Sequence, residues 1–142
     1  MLSLCLFAGC TVIETDPLAY DPNLGTLKIK NNPKVIVPDF LDVMHANMSE
    51  RGIKYQMVGE TYAPKQDEYV VTYNALRSWD FVAYLTVADV WIHKNDKQVA
   101  KGHFHLENKG GLTFSKFDDN DEKLKPMYDE LFKNYGNTPA KP

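Results

Sequence analysis

The alternation of apolar and polar positions is most regular between residues 69 and 106, where it predicts three consecutive antiparallel strands. Asn95 and Asp96 fit the two-residue turn of a hairpin between the second and third strands. An uninterrupted ladder from that turn pairs Asp89 with Gly102 and directs a mostly apolar face toward the helices. We expect that face to hold Tyr69, Val71, Tyr73, Ala75, Leu85, Val87, Asp89, Trp91, Ala100, Gly102, Phe104 and Leu106, and the opposite, mixed face to hold Tyr84, Thr86, Ala88, Val90, Ile92, Val99, Lys101, His103 and His105.

A strand–helix–strand unit precedes these strands. Residues 25–30 alternate and predict one strand, and residues 53–58 predict the next. Between them Pro38 suits the first turn of a helix, because its missing N–H is not needed there. Gly52 supplies the left-handed residue that ends the helix.

A second helix follows the hairpin, because apolar residues recur at helical spacing from position 124 to position 135. They are Leu124, Met127, Tyr128, Leu131, Phe132 and Tyr135. Together the elements predict an α+β fold. It is a two-layer sandwich in which a mostly antiparallel sheet of about five strands carries two helices on one face, in the order β-α-β-β-β-β-α. We expect a single domain over residues 24–136 and a flexible tail at residues 137–142.

The amino terminus carries a candidate lipidation site. Residues 6–10, Leu-Phe-Ala-Gly-Cys, resemble the lipobox of bacterial lipoproteins, in which a signal peptidase cleaves before the cysteine and the sulfur receives diacylglycerol. The resemblance implies that residues 1–9 are the remnant of a signal peptide and that Cys10 is the acylated first residue. The sequence departs from the pattern in having no Lys or Arg before Cys10, and Phe7 stands where Leu is usual. The alternative is that residues 1–9 form an apolar strand of a cytosolic protein.

Residues 10–23 bear on the location of the protein. An Asp after the acylated cysteine resembles a signal for retention in the inner membrane, and Thr11 stands there instead. The resemblance therefore implies the outer membrane, with the protein facing the periplasm. Pro17, Pro22 and several acids predict a tether rather than a packed element. The apolar run at the start is far shorter than the ~20 residues of a transmembrane helix.

Two further motifs point to a family. Residues 32–41 read Asn-Pro-Lys-Val-Ile-Val-Pro-Asp-Phe-Leu, and residues 78–80, Ser-Trp-Asp, are followed by Tyr-Leu at residues 84–85. With the lipobox, these motifs resemble a family of small uncharacterised lipoproteins of Gram-negative bacteria. The resemblance extends from residue 10 to about residue 135. It implies an envelope location, and it assigns no catalytic residue.

Composition narrows the classes of partner. The net charge is −3 with both signs scattered along the chain, so no basic stripe predicts nucleic-acid binding. Both cysteines, Cys5 and Cys10, lie within the first ten residues. A zinc site built on cysteines is thereby excluded from the folded body. We expect no cofactor.

Two histidines form a candidate ligand face. His103 and His105 alternate along one strand, so both rings project from the same face, and in the predicted ladder Tyr84 shares that face. Paired histidines at this spacing can bind zinc or copper. No third protein ligand is evident, and solvent-facing histidines on a half-exposed sheet are the simpler interpretation.

Three residues form a candidate interface at the tip of the first hairpin. Arg77, Trp79 and Asp80 combine an aromatic ring with charged groups, which is the chemistry of interface anchors. The alternative is a Trp79 ring that folds back onto the core, beside an Arg–Asp pair in the turn.

Asp89 is the one acid on the face predicted to be apolar. We interpret it as a structural acid that accepts a hydrogen bond from Tyr69 or Tyr73. A proton-handling role is the alternative, because removal from water raises the pKa of a carboxyl group.

The sequence thus predicts a non-catalytic accessory protein, anchored to the envelope membrane by lipid, that binds or assembles with an envelope partner. The alternative is a periplasmic module that binds a small ligand or metal through His103 and His105. No nucleophile–base pair or catalytic motif supports an enzyme.

Overall fold

The computed structural model describes residues 4–8, 11–80, 82–106 and 119–136. The candidate lipidation residue Cys10 and the predicted tail at residues 137–142 lie outside this part of the chain. The elements are β1 (Leu4–Ala8), β2 (Thr11–Asp16), β3 (Thr26–Lys30), α1 (Phe40–Glu50), β4 (Lys54–Val58), β5 (Tyr69–Asp80), β6 (Val82–Lys94), β7 (Lys97–Leu106) and α2 (Asn120–Leu131).

The strands form one sheet in the order β1-β2-β7-β6-β5-β3-β4. Neighbouring strands are antiparallel except that β3 runs parallel to both β4 and β5. The predicted α+β class, the two layers and the order β-α-β-β-β-β-α from β3 onward are confirmed. The sheet has seven strands rather than about five, because the amino-terminal segment adds β1 and β2.

Both helices cover one face of the sheet and enclose the core between the two layers. Residues without water contact alternate along the strands and recur at helical spacing in α1 and α2. The largest of them are Tyr128, Phe40, Phe104, Phe132, Leu18, Leu27, Ile29, Met44, Met48, Leu85, Ile92 and Leu106. Gly52 ends α1 with a φ of +70°, as predicted.

The expectation of an unpacked tether at residues 10–23 is wrong for the described part of that segment. Strand β2 pairs with β7 over its whole length, and Ile13 and Thr15 are buried. Beyond β2, the backbone N–H of Leu18 donates to the carbonyl of Leu131 at 2.9 Å, and the Leu18 side chain is 1% exposed. Apolar residues in alternation outweigh the two prolines, since Pro17 comes just after the strand, where no ladder hydrogen bond is required.

The predicted register of β6 and β7 is wrong by one residue on β6. The turn at Asn95 and Asp96 forms as predicted, with φ values of +50° and +66°. His93 then pairs with Gln98 but Ile92 pairs with Ala100, so Val99 is an extra residue on β7. Such a bulge shifts every later pair.

The bulge reassigns the faces of β6. Its core side holds Ala88, Val90 and Ile92, all buried, whereas Asp89 and Trp91 are only partly buried and lie on the other side. The residues of β7 keep the faces that the sequence predicts, because the bulge changes only which β6 residue stands opposite each of them.

Candidate functional site

We call the face of the sheet opposite the helices the open face. It carries polar, charged and aromatic side chains. Strands β2, β7 and β6 form its centre, where the side chains are partly rather than fully exposed. They are Val12, Glu14, Val87, Asp89, Trp91, Lys101, His103 and His105. This surface combines one tryptophan and two histidines with charged and apolar side chains, so it is suited to contact with another molecule.

Asp89 and His103 face each other across β6 and β7, and the Asp89 Oδ1 lies 2.6 Å from the His103 Nδ1. Glu14 stands opposite His103 on its other side, in β2, and Asn74 stands opposite Asp89 in β5. Asp89 is therefore partnered by a histidine, and the predicted hydrogen bond from Tyr69 or Tyr73 is absent. Tyr69 donates to Asp21 instead, and the Tyr73 hydroxyl accepts from a backbone N–H.

The two candidate histidines share the open face as predicted. Their ring centroids lie 6.4 Å apart, and the rings are tilted by 31°. In the described residues no group of three His, Cys, Asp or Glu side chains is placed to hold a metal ion.

Tyr84 does not join the histidines. Its ring is buried and lies beneath the Lys123 ammonium of α2, with 5.6 Å between the Nζ atom and the ring centroid. Tyr84 therefore packs on the helix side. The Lys123 ammonium attracts the face of the Tyr84 ring, which stabilises this placement.

A cavity of about 410 Å³ opens on the open face, where the loop at residues 59–68 meets the β6–β7 turn. Lys30, Thr72 and His93 come from three adjacent strands and line it. At its rim Glu68 accepts hydrogen bonds from the Tyr62 hydroxyl at 2.6 Å and from a backbone N–H at 3.1 Å. These hydrogen bonds lower the pKa of the Glu68 carboxyl below its ordinary value. Sequence reasoning missed this cavity, because its residues are far apart along the chain.

The outer part of the β5–β6 hairpin, residues 76–80 and 82–86, is called the hairpin tip below. Strand β7 reaches β6 only from Val87 onward, and β3 pairs with β5 only at Val70 and Val71. Within the described residues, the strands of the tip therefore pair only with each other. The tip projects beyond the rest of the sheet.

Trp79 is the most exposed large apolar residue of the tip. It is 75% exposed, and it pairs with Ala83 across the hairpin. The alternative in which Trp79 folds back onto the core is thus wrong. Arg77 is exposed and pairs with Leu85, whereas the backbone of Asp80 pairs with Val82 and its side chain lies outside the described part. The three candidate interface residues all belong to the tip.

A smaller cavity of about 270 Å³ lies between the hairpin tip and the residues at which the two helices begin. Arg77 and Val82 line one side of it, and Asp39 and Lys123 line the other. The Lys123 ammonium donates to the carbonyl of Leu85 at 3.2 Å, which joins α2 to the base of the hairpin. The tip is thus held to the helix layer at its root.

The structure brings together His103 with His105, and Arg77 with Trp79, and it separates Tyr84 from the histidines. Neither helix of the described residues has the length and apolar character of a membrane-spanning segment. Compared with protein-family models, with curated proteins and with solved structures, the chain matches none of them.

Proposed function

We propose that this chain is a non-catalytic accessory protein of the bacterial envelope. Acylated Cys10 anchors it to the outer membrane on the periplasmic side, and it assembles there with an envelope partner. The lipobox resemblance of residues 6–10 supports the anchor. Acyl chains contribute about 0.8 kcal/mol per buried CH₂, so a multiply acylated terminus is held firmly.

The observation that carries the proposal is the place where the candidate anchor joins the fold. Thr11, the residue after Cys10, is the first residue of β2 and pairs with Leu106, the last residue of β7. The hairpin tip projects from this same end of the sheet. An acyl group on Cys10 would therefore bring a protruding, apolar part of the protein to the membrane and leave the open face beside it for a partner.

A catalytic role for Asp89 and His103 is not proposed. They are 2.6 Å apart and are partnered by one another, and the residues opposite them in the ladder are Glu14 and Asn74. A nucleophilic catalyst would need a Ser, Thr, Cys or Lys side chain within hydrogen-bond reach of the histidine.

The chain has two cysteines, one before and one after the proposed cleavage point, so two single substitutions test the anchor. Cells that express the wild type, Cys10→Ala or Cys5→Ala are labelled with a radioactive fatty acid and fractionated. We expect label and membrane association in the wild type and in Cys5→Ala, and neither in Cys10→Ala.

The mass of the purified protein separates the two interpretations of the amino terminus. A chain that begins at an acylated Cys10 supports the proposal. An unmodified chain that retains Met1 and is found in the soluble fraction overturns it. In that case β1 is a permanent strand of the sheet, since it pairs with β2 from Leu4 to Ala8 in the unprocessed chain.

A second candidate function is the binding of a small ligand or metal at the open face. The observation that favours it is the 6.4 Å separation of the His103 and His105 rings on one face. Calorimetry with zinc and with copper, on the wild type and on His105→Gln, tests it. Heat in the wild type that is lost in His105→Gln supports this function, and the absence of heat in the wild type ends it.

A further inference from the structure

We propose that the hairpin tip lies in the headgroup region of the bilayer to which Cys10 is anchored. This inference rests on the proposed acylation. It identifies the molecule that covers the exposed tip as lipid, and it leaves the open face for a protein partner.

The register of the sheet places the tip and the anchor at the same end. Val12 of β2 pairs with His105, which pairs with Val87, which pairs with Leu76 of β5. From this row, β2 runs back toward Cys10 and the hairpin runs on toward Trp79, so both point the same way. Asp80 lies four positions beyond Leu76, and at ~3.3 Å per residue the tip extends about 13 Å past the row. Three strand spacings of ~4.8 Å separate β2 from β5, which makes about 14 Å sideways.

Exposed apolar side chains are concentrated at this end of the molecule. Of five large apolar residues that the described part leaves exposed, three belong to the tip: Leu76 at 52%, Trp79 at 75% and Val82 at 53%. Ile36, at 60%, is a fourth exposed apolar residue at this end of the molecule. It precedes Val37, which lines the cavity between the tip and the helices. An apolar patch that is confined to one end of a soluble domain marks a surface that is covered in use.

The chemistry of the tip fits a lipid interface. A Trp ring has a large apolar body and one N–H donor, and Trp is enriched where lipid tails meet water. Arg77, two residues earlier and exposed, can reach a lipid phosphate with its guanidinium while its stem lies along apolar groups. Asp39 and Asp119 are exposed beside the same cavity, and their carboxylates would repel a strongly anionic surface. We therefore expect the tip to enter bilayers of zwitterionic lipid without needing added anionic lipid.

The size of the patch favours lipid over a protein at this position. A stable protein interface uses roughly 20–30 residues on each side. Among the described residues the tip offers three exposed large apolar side chains on a narrow hairpin, and Ile36, in the connection between β3 and α1, is a fourth. A few apolar side chains beside an acyl anchor are sufficient for lipid, because the anchor already holds the protein at the surface.

The two tryptophans allow a direct test. Trp91→Phe leaves Trp79 as the sole tryptophan, and Trp79→Phe leaves Trp91 on the open face. Each acylated mature protein, with its acylation verified by mass, is reconstituted into phosphatidylcholine vesicles with and without lipid brominated near the headgroup. We expect bromine to quench most of the Trp79 emission and little of the Trp91 emission.

Equal, weak quenching of both tryptophans in the acylated protein overturns the inference and leaves the anchor intact. A chain that proves to be unacylated in cells overturns the proposed function itself, and the mass measurement identifies that outcome first. If Trp79 is shielded from acrylamide in isolated envelopes but is not quenched by brominated lipid in vesicles, a protein covers the tip and the inference is wrong.

Discussion

Asn95 and Asp67 hold each other by two hydrogen bonds. The Asp67 backbone N–H donates to the Asn95 Oδ1, and the Asn95 Nδ2 donates to the Asp67 Oδ1, each at 2.8 Å. Both residues have positive φ, a backbone region that Asn and Asp tolerate better than most residues. The pair joins the loop at residues 59–68 to the β6–β7 turn across the mouth of the open-face cavity.

Asn95→Gly removes this pair without straining the turn, because Gly accepts positive φ. We expect the free energy of unfolding to fall by about 1 kcal/mol and hydrogen exchange in the loop to become faster. Asp96→Gly is the matched control, since Asp96 has the same sign of φ and is exposed. Urea denaturation measures both variants, and equal stability of the two would contradict a role for the pair.

Leu18→Ala tests whether the amino-terminal segment is part of the fold. Leu18 is fully enclosed although it follows β2 and precedes β3, so we expect a loss of about 2–5 kcal/mol in unfolding free energy. Ala19→Ser changes the exposed neighbour and should be nearly neutral. A wild-type melting temperature in Leu18→Ala would restore the interpretation of this segment as a tether.

Gly102→Ala tests the close approach of α2 to the sheet. An added Cβ would lie 3.1 Å from the Met127 Cγ and 3.2 Å from its Sδ. We expect the substitution to lower the free energy of unfolding by about 1–3 kcal/mol, an effect that the flexible Met side chain moderates. This loss of unfolding free energy should be smaller when Gly102→Ala is made in a Met127→Ala background, and a double-mutant cycle measures the difference. Gly59→Ala is the control, because a Cβ at Gly59 would meet no atom within 4 Å; a cost as large as that of Gly102→Ala would refute the steric explanation.

The pair of Tyr69 and Asp21 predicts acid sensitivity. The Tyr69 hydroxyl donates to the Asp21 Oδ2 at 2.6 Å, and this hydrogen bond lowers the pKa of the Asp21 carboxyl below its ordinary 3.8. The contribution of this pair to the free energy of unfolding is therefore fully present above pH 3.8. It is lost as the pH falls through the lower pKa that Asp21 has in the folded state.

Unfolding free energies of the wild type and Tyr69→Phe, measured from neutral to acidic pH, test this linkage. We expect the difference between them to narrow as the pH falls. Tyr20→Phe is the control, because Tyr20 is exposed and contacts Tyr135 through its ring rather than its hydroxyl. A difference between wild type and Tyr69→Phe that stays constant with pH would contradict the assignment.

The hairpin shows where sequence reasoning succeeds and where it fails. Alternation and the Asn95–Asp96 turn are sufficient to predict the strands β6 and β7 and their connection. The register fails because Val99 is an extra residue, and an apolar Val in an apolar-polar alternation carries no sign of a bulge. As a result, the alternation assigns Asp89 to the apolar face and does not identify its partner His103.

Whether a candidate site could be predicted depends on how far apart its residues lie in the sequence. His103 with His105, and Arg77 with Trp79, are near in sequence, so strand periodicity alone predicts their proximity. The open-face cavity combines Lys30, the loop at residues 59–68 and His93, which become neighbours only because β3 lies parallel beside β5. Local patterns do not specify which strands become neighbours in a sheet, so this site could not be predicted.

Strand β2 begins at Thr11, immediately after the residue proposed to carry the lipid. The acylated protein would therefore have almost no slack between its fatty acids and its rigid body. It would stay at a fixed height above the bilayer and in a fixed orientation, and it could not reach distant positions in the periplasm. A partner anchored in the same membrane would then meet this body at a matching height by lateral diffusion.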